Sequence, residues 1–163
     1  MHSSVLTALL LAALAVGLVI AAYTDIRRRQ IDNWLTGGIV LLAPVFWWAS
    51  GASWGAVGWH LGVALLSFAA LALLFSLRAM GGGDVKLLTA LALWIRPEWF
   101  AQLVLIMAIL GGVLTVGLAL WHFTHRQREK LAIPYGIAIS GAGLWILSAN
   151  YYPLIQAGGH VGL

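Results

Sequence analysis

The chain has 163 residues, of which 62% are hydrophobic and only 9% charged, with a formal net charge of +4. Soluble domains carry roughly 25% charged residues, so a water-soluble fold of this size is excluded and an integral membrane protein is expected. No cysteine is present, which excludes disulfides, thiolate zinc sites and cysteine nucleophiles. The cations sit in short clusters between apolar runs, where they orient spans in a lipid bilayer rather than coat a groove, so no nucleic-acid partner is read from them.

Ser3 to Tyr23 forms the first apolar run, long enough to cross about 30 Å of hydrocarbon. A cleaved secretory signal is disfavoured, because the run is too long and no Lys or Arg precedes it. Thr24 to Asn33 reads as a polar loop, and Trp34 to Ser50 as a second, shorter span with a possible kink at Pro44. Gly51-Ala52-Ser53 turns the chain into a third span, Trp54 to Leu77, in which His60 reads as interfacial or packed. After Arg78 come three glycines, an acid and a base in Met80-Gly81-Gly82-Gly83-Asp84-Val85-Lys86.

The next apolar run, Val85 to Ile95, covers only about 16 Å as a helix, roughly half the bilayer core. It is either a short span protected by its neighbours or a re-entrant segment, ended by Arg96-Pro97-Glu98 with Pro97 as a stop. Trp99 to Trp121 is the fifth span, with Gly111, Gly112 and Gly117 offering close helix packing. A polar loop, His122 to Lys130, precedes a sixth span from Ile133 to Ala149, opened by Pro134-Tyr135-Gly136. The tail from Asn150 to Leu163 is expected to be loosely ordered.

Charge asymmetry favours six spans. With that count Arg27, Arg28, Arg29, Arg78, Lys86, Arg126, Arg128 and Lys130 share one side, and only Arg96 falls opposite. The cation-rich side is then cytoplasmic and both termini lie outside. Tyr23, Trp34, Trp121 and Tyr135 would mark one interface, and Trp47, Trp48, Trp54, Trp94, Trp99 and Tyr151 the other. The expected fold is therefore all-α: one polytopic membrane bundle of about six helices over residues 1–163.

This topology places Asp25 and Asp84 at the same cytoplasmic boundary. Two carboxylates sharing a proton can run aspartyl-protease chemistry without a metal or cofactor, one taking a proton from water while the other polarises a carbonyl. From topology alone, each could equally be a solvated acid flanking a span. His122 and His125 are the only close histidine pair, too few for a metal site.

Gly81-Gly82-Gly83-Asp84-Val85-Lys86-Leu87 resembles the Gly-x-Gly-Asp motif of the type IV prepilin peptidases. Asp25-Ile26-Arg27-Arg28-Arg29-Gln30-Ile31-Asp32-Asn33 is similar to that family's first catalytic segment, with Asp32 where the family has proline. Pro134-Tyr135-Gly136 resembles the family's Pro-Tyr-Gly at the head of a late span.

The resemblance implies Asp25 and Asp84 as the catalytic pair, acting at the cytoplasmic face of a bacterial inner membrane. It implies that they cut a short basic leader from a pilin precursor after a glycine. The larger family members carry a tetracysteine zinc domain and N-methylate the new terminus; neither is expected here. The short form is similar to peptidases of Flp-type (tight-adherence) pilus systems.

Substrate contact is expected at Gly81 and Gly83, where a strand could approach Asp84 closely, and at Pro134, Tyr135 and Gly136. Lys86 lies about 200° round a helix from Asp84 and either meets the substrate or snorkels to the interface. Arg27, Arg28 and Arg29 are read as topology determinants. The rival reading is a non-enzymatic transporter subunit or assembly factor using the glycines as a broken-helix site.

Overall fold

The computed structural model of the chain describes residues 2–125 and 135–156. Among these residues the structure is entirely helical: α1 (His2–Arg28), α2 (Asn33–Ala49), α3 (Trp54–Ser76), α4 (Gly82–Ala92), α5 (Pro97–His125) and α6 (Tyr135–Ile146). A π-helical stretch, Leu147–Tyr151, then leads into α7 (Tyr152–Gln156).

Three helices are long and apolar enough to cross a bilayer, at Val5–Arg28, Trp54–Ser76 and Pro97–Trp121. Leu65, Leu66, Leu105 and Val113 on the second and third of these are 62–73% exposed, a surface suited to hydrocarbon and not to water. The protein is a polytopic membrane helix bundle.

The bundle is built round its shortest member. The eleven-residue α4 packs against α2, α3, α5 and α6, and Lys86 is its one exposed residue. A helix of this length ends at mid-bilayer depth, where its last carbonyls need partners other than water. Side chains from three other elements supply them. The Trp47 indole N–H donates to Leu93 O at 2.7 Å, and the Tyr151 hydroxyl to Trp94 O at 2.8 Å. His60 Nδ1 lies 3.4 Å from Ala92 O. The Trp94 indole in turn donates to Ile39 O at 2.9 Å, and its ring stacks on Phe46 at 4.8 Å.

These bonds correct part of the expected interfacial belt. Trp48 and Trp54 are exposed, but Trp47, Trp94 and Tyr151 are buried: Trp47 and Tyr151 give their donors to the end of α4, and Trp94 gives its own to Ile39 O of α2. The packed reading of His60 holds.

Several boundaries also move. The expected loop from Thr24 is helical as far as Arg28, with Thr24 and Asp25 continuing the buried face of α1. The fourth helix starts at Gly82 and stops at Ala92, three residues earlier at each end than Val85 to Ile95. Pro97 does not stop a helix; it opens α5, where its missing N–H leaves no bond unmade. Residues 150–156 of the expected loose tail are helical. The expected polar loop with Arg126, Arg128 and Lys130 falls largely outside the described residues.

Candidate active site

On α1 the buried residues Leu11, Leu14, Leu18 and Ala21 recur at alternating spacings of three and four. Asp25 is the next position of that stripe, so the helix that buries the leucines also turns the carboxylate into the bundle, where it is 6% exposed. Its Oδ2 accepts the backbone N–H of Gly136 at 2.8 Å. Ile137 presents its N–H to the same carboxylate. Both donors belong to the N-terminal end of α6, where unpaired N–H groups favour an anion. A Cβ on Gly136 would sit 2.7 Å from Asp25 Oδ2, so only glycine lets the carboxylate reach the backbone.

Asp84 is held differently. Gly81 caps α4 and Asp84 is its third helical residue, in position to reach back to the cap. The Gly81 N–H donates to the carboxylate, and a Cβ on Gly81 would lie 2.9 Å from Asp84 Oδ2. The other two glycines serve packing: a Cβ on Gly82 would meet the Phe75 ring at 3.3 Å, and one on Gly83 would meet Ile31 Cβ at 3.2 Å. On the Cβ side, Gly81 and Gly83 thus make room for the protein's own Asp84 and Ile31, while both also line a cavity.

Both acids line the same open cavity, of about 1050 Å³, together with the α1–α2 loop, the α3–α4 loop and Tyr135. Asp84 stands in the first turn of α4, outside the three long spans. Burial, and then the charge of Asp25, push its carboxyl up to about 6 against the pull of the Gly81 N–H. The charge of Asp25 thus reaches Asp84 across the cavity they share.

The remaining expected residues divide. Gly81, Gly83 and Tyr135 line the cavity, and the Tyr135 ring packs on Gly111, where a Cβ would meet it at 2.7 Å. Gly136 serves Asp25. Lys86 is exposed, and its ammonium donates to Asn33 Oδ1 at 2.8 Å, beside the cavity that Asn33 lines, tying α4 to the start of α2. Pro134 lies outside the described residues. Among the described residues no three His, Cys, Asp or Glu side chains gather closely enough to hold a metal ion.

Asp32 caps α2 with φ −66° and ψ 137° and makes no side-chain cap bond. A proline ring fixes φ near this value, so the turn has the same course with either residue. Sequence reasoning missed the Gly136 N–H, and also Ile31 and Phe75. The Asp25 stripe could have been found by carrying the three-four spacing past Tyr23.

Fold and site together define a polytopic membrane helix bundle with two buried carboxylates lining one cavity. Residues 12–116, which include both acids, match the family model described as the type IV leader peptidase family. The chain belongs to that family. It is 35% identical over 144 residues to a prepilin leader peptidase/N-methyltransferase of Dickeya chrysanthemi, covering 83% of this chain and 50% of that one. Proteins of the same name from Burkholderia pseudomallei strains 1026b and K96243 are 37% identical over 84 residues, 51% of this chain and 26% of theirs. The chain spans half or less of the length of these curated relatives. No solved structure gives a significant match.

Proposed function

We propose that the protein is an intramembrane aspartic endopeptidase that removes the leader from a type IV prepilin, of the Flp-like kind, at the cytoplasmic face of a bacterial inner membrane. Both termini then lie outside. The observation that carries the reading is the single cavity shared by Asp25 and Asp84, set far apart in the chain but close enough for one charge to act on the other.

The two environments suggest the roles. Asp25, held by backbone N–H groups, is the ionised base; Asp84, whose carboxyl is pushed up by burial and by Asp25, is the acid. Asp25 takes a proton from water, the resulting hydroxide adds to the scissile carbonyl carbon, and Asp84 gives its proton to the carbonyl oxygen. Asp25 then delivers its proton to the leaving nitrogen as the C–N bond breaks, and a hydroxyl of the gem-diol returns a proton to Asp84. No net proton or electron is gained, and no cofactor enters the scheme.

The test is co-expression of a pilin precursor with the wild type, Asp25→Asn and Asp84→Asn, each followed by the change in precursor size. Wild-type processing with both variants inactive is expected. Processing retained by either variant would sink the dyad.

A further inference from the structure

α1 and α3 both finish at the rim of the cavity, and both finish in the same uncommon way. A helix that closes through a left-handed residue usually places glycine there, because a Cβ crowds the backbone in that region. Here the left-handed residues are Arg29, at φ 55°, and Arg78, at φ 58°. The Arg29 N–H closes on Asp25 O, the Arg78 N–H on Phe75 O and the Ala79 N–H on Leu74 O, each at 2.9 Å. Among the described residues no other non-glycine residue has a positive φ, and both arginines line the cavity.

Packing does not explain the choice, since both side chains are exposed. The helix dipole does not explain it at α1, where Arg27 and Arg28 already fill the last turn. Backbone strain that persists at a site rim points to a use for the side chain. The cavity also holds Asp25, Asp32 and Asp84, a field that would repel an acidic guest unless cations stood at its edge.

We propose that Arg29 and Arg78 are specificity-determining residues that bind an acidic side chain of the peptide substrate at the mouth of the cavity. The proposal rests on the peptidase reading and deepens it. A guanidinium offers a carboxylate two parallel N–H donors, and a short helix cap holds its backbone in place. One arginine ends the helix that carries Asp25; the other begins the turn that leads to Asp84. A carboxylate seated between them would fix which peptide bond lies over the two acids.

The test uses the full-length protein in neutral detergent, with Arg29→Gly, Arg78→Gly and the double variant. Glycine removes the guanidinium and relieves the strained conformation, so thermal midpoints should rise by ~2–4 °C per site. Two synthetic prepilin-derived peptides are compared, identical except that every Asp and Glu in one is replaced by its amide. Arg78→Gly is expected to lose about tenfold in kcat/KM on the acidic peptide, chiefly through KM, and less than about twofold on the amide peptide. For Arg29→Gly, whose lost charge also acts on Asp25, the loss on the acidic peptide should exceed that on the amide peptide by about tenfold.

Equal losses on both peptides, or no loss on either, overturn the proposal. A loss seen only in vesicles of anionic lipid, and absent in neutral micelles, assigns the arginines to headgroups and also overturns it. A wild type that cleaves neither peptide fails at the peptidase reading itself, an outcome separate from all of these.

Discussion

Asp84→Asn should make the protein more stable while abolishing its chemistry. In the folded chain the Asp84 carboxyl stands at about 6 rather than the ordinary 3.8, because burial and Asp25 disfavour its charged form. The folded state therefore holds its proton more tightly than the unfolded state. Its contribution to stability is fully present below pH 3.8 and is lost as pH rises through 6.

Two pKa units correspond to about 3 kcal/mol, and partial solvation reduces this to roughly 1–2 kcal/mol. Asparagine carries no charge at any pH and keeps an oxygen for the Gly81 N–H. At pH 7.5 the variant should then melt about 3–8 °C above the wild type, with the gap closing at pH 4. Thermal unfolding in detergent, followed through the nine tryptophans, reads this directly. The difference between the two proteins is the quantity of interest, since Asp25 titrates in both. A variant less stable than the wild type at pH 7.5, or a gap that widens towards pH 4, refutes the account of Asp84.

Three further substitutions probe the frame around the two acids. Gly136→Ala puts a methyl 2.7 Å from Asp25 Oδ2, and should cut peptide cleavage by about a hundredfold with helicity by circular dichroism retained. Tyr151→Phe leaves Trp94 O without its donor at a depth where water cannot replace it, and should cost about 1–3 kcal/mol in denaturant titration. Asp32→Pro matches the φ already present, and should raise stability by about 0.4–1 kcal/mol with processing unchanged; a fall in stability would show that the turn needs an N–H at that position.

Much of the bundle was legible along the chain, because a helix that must face lipid or a dry interior announces itself as an apolar run whatever its neighbours are. The first, second, third and fifth spans were read within a few residues at most ends. The largest shifts fell at Thr24–Arg28 and at α4. Both places mix polar residues with a continuing buried face, and hydropathy averages the two. Asp25 reads as a loop acid by composition, but it is the last member of a stripe whose other members are leucines and an alanine. The aromatics misled for a related reason: Trp47, Trp94 and Tyr151 have the residue types of an interfacial belt, yet carbonyls inside the bundle claim their donors, two just past α4 and, for Trp94, Ile39 O of α2.

The sequence by itself determined that the protein lives in a bilayer, where its long helices run, and that Gly81-Gly82-Gly83-Asp84 is set apart from the hydrocarbon around it. Only the tertiary structure decided what those glycines are for. Each clears a particular neighbour: the Asp84 carboxylate, the Phe75 ring and Ile31. It also decided that the Gly136 N–H meets Asp25 and that two arginines share a rim with both acids. Apolar content is a property of each segment alone and can be summed along the chain. Which backbone N–H or carbonyl meets which side chain depends on how separate helices are set in depth and rotation, and that is fixed when α4 is gripped at mid-membrane by its neighbours.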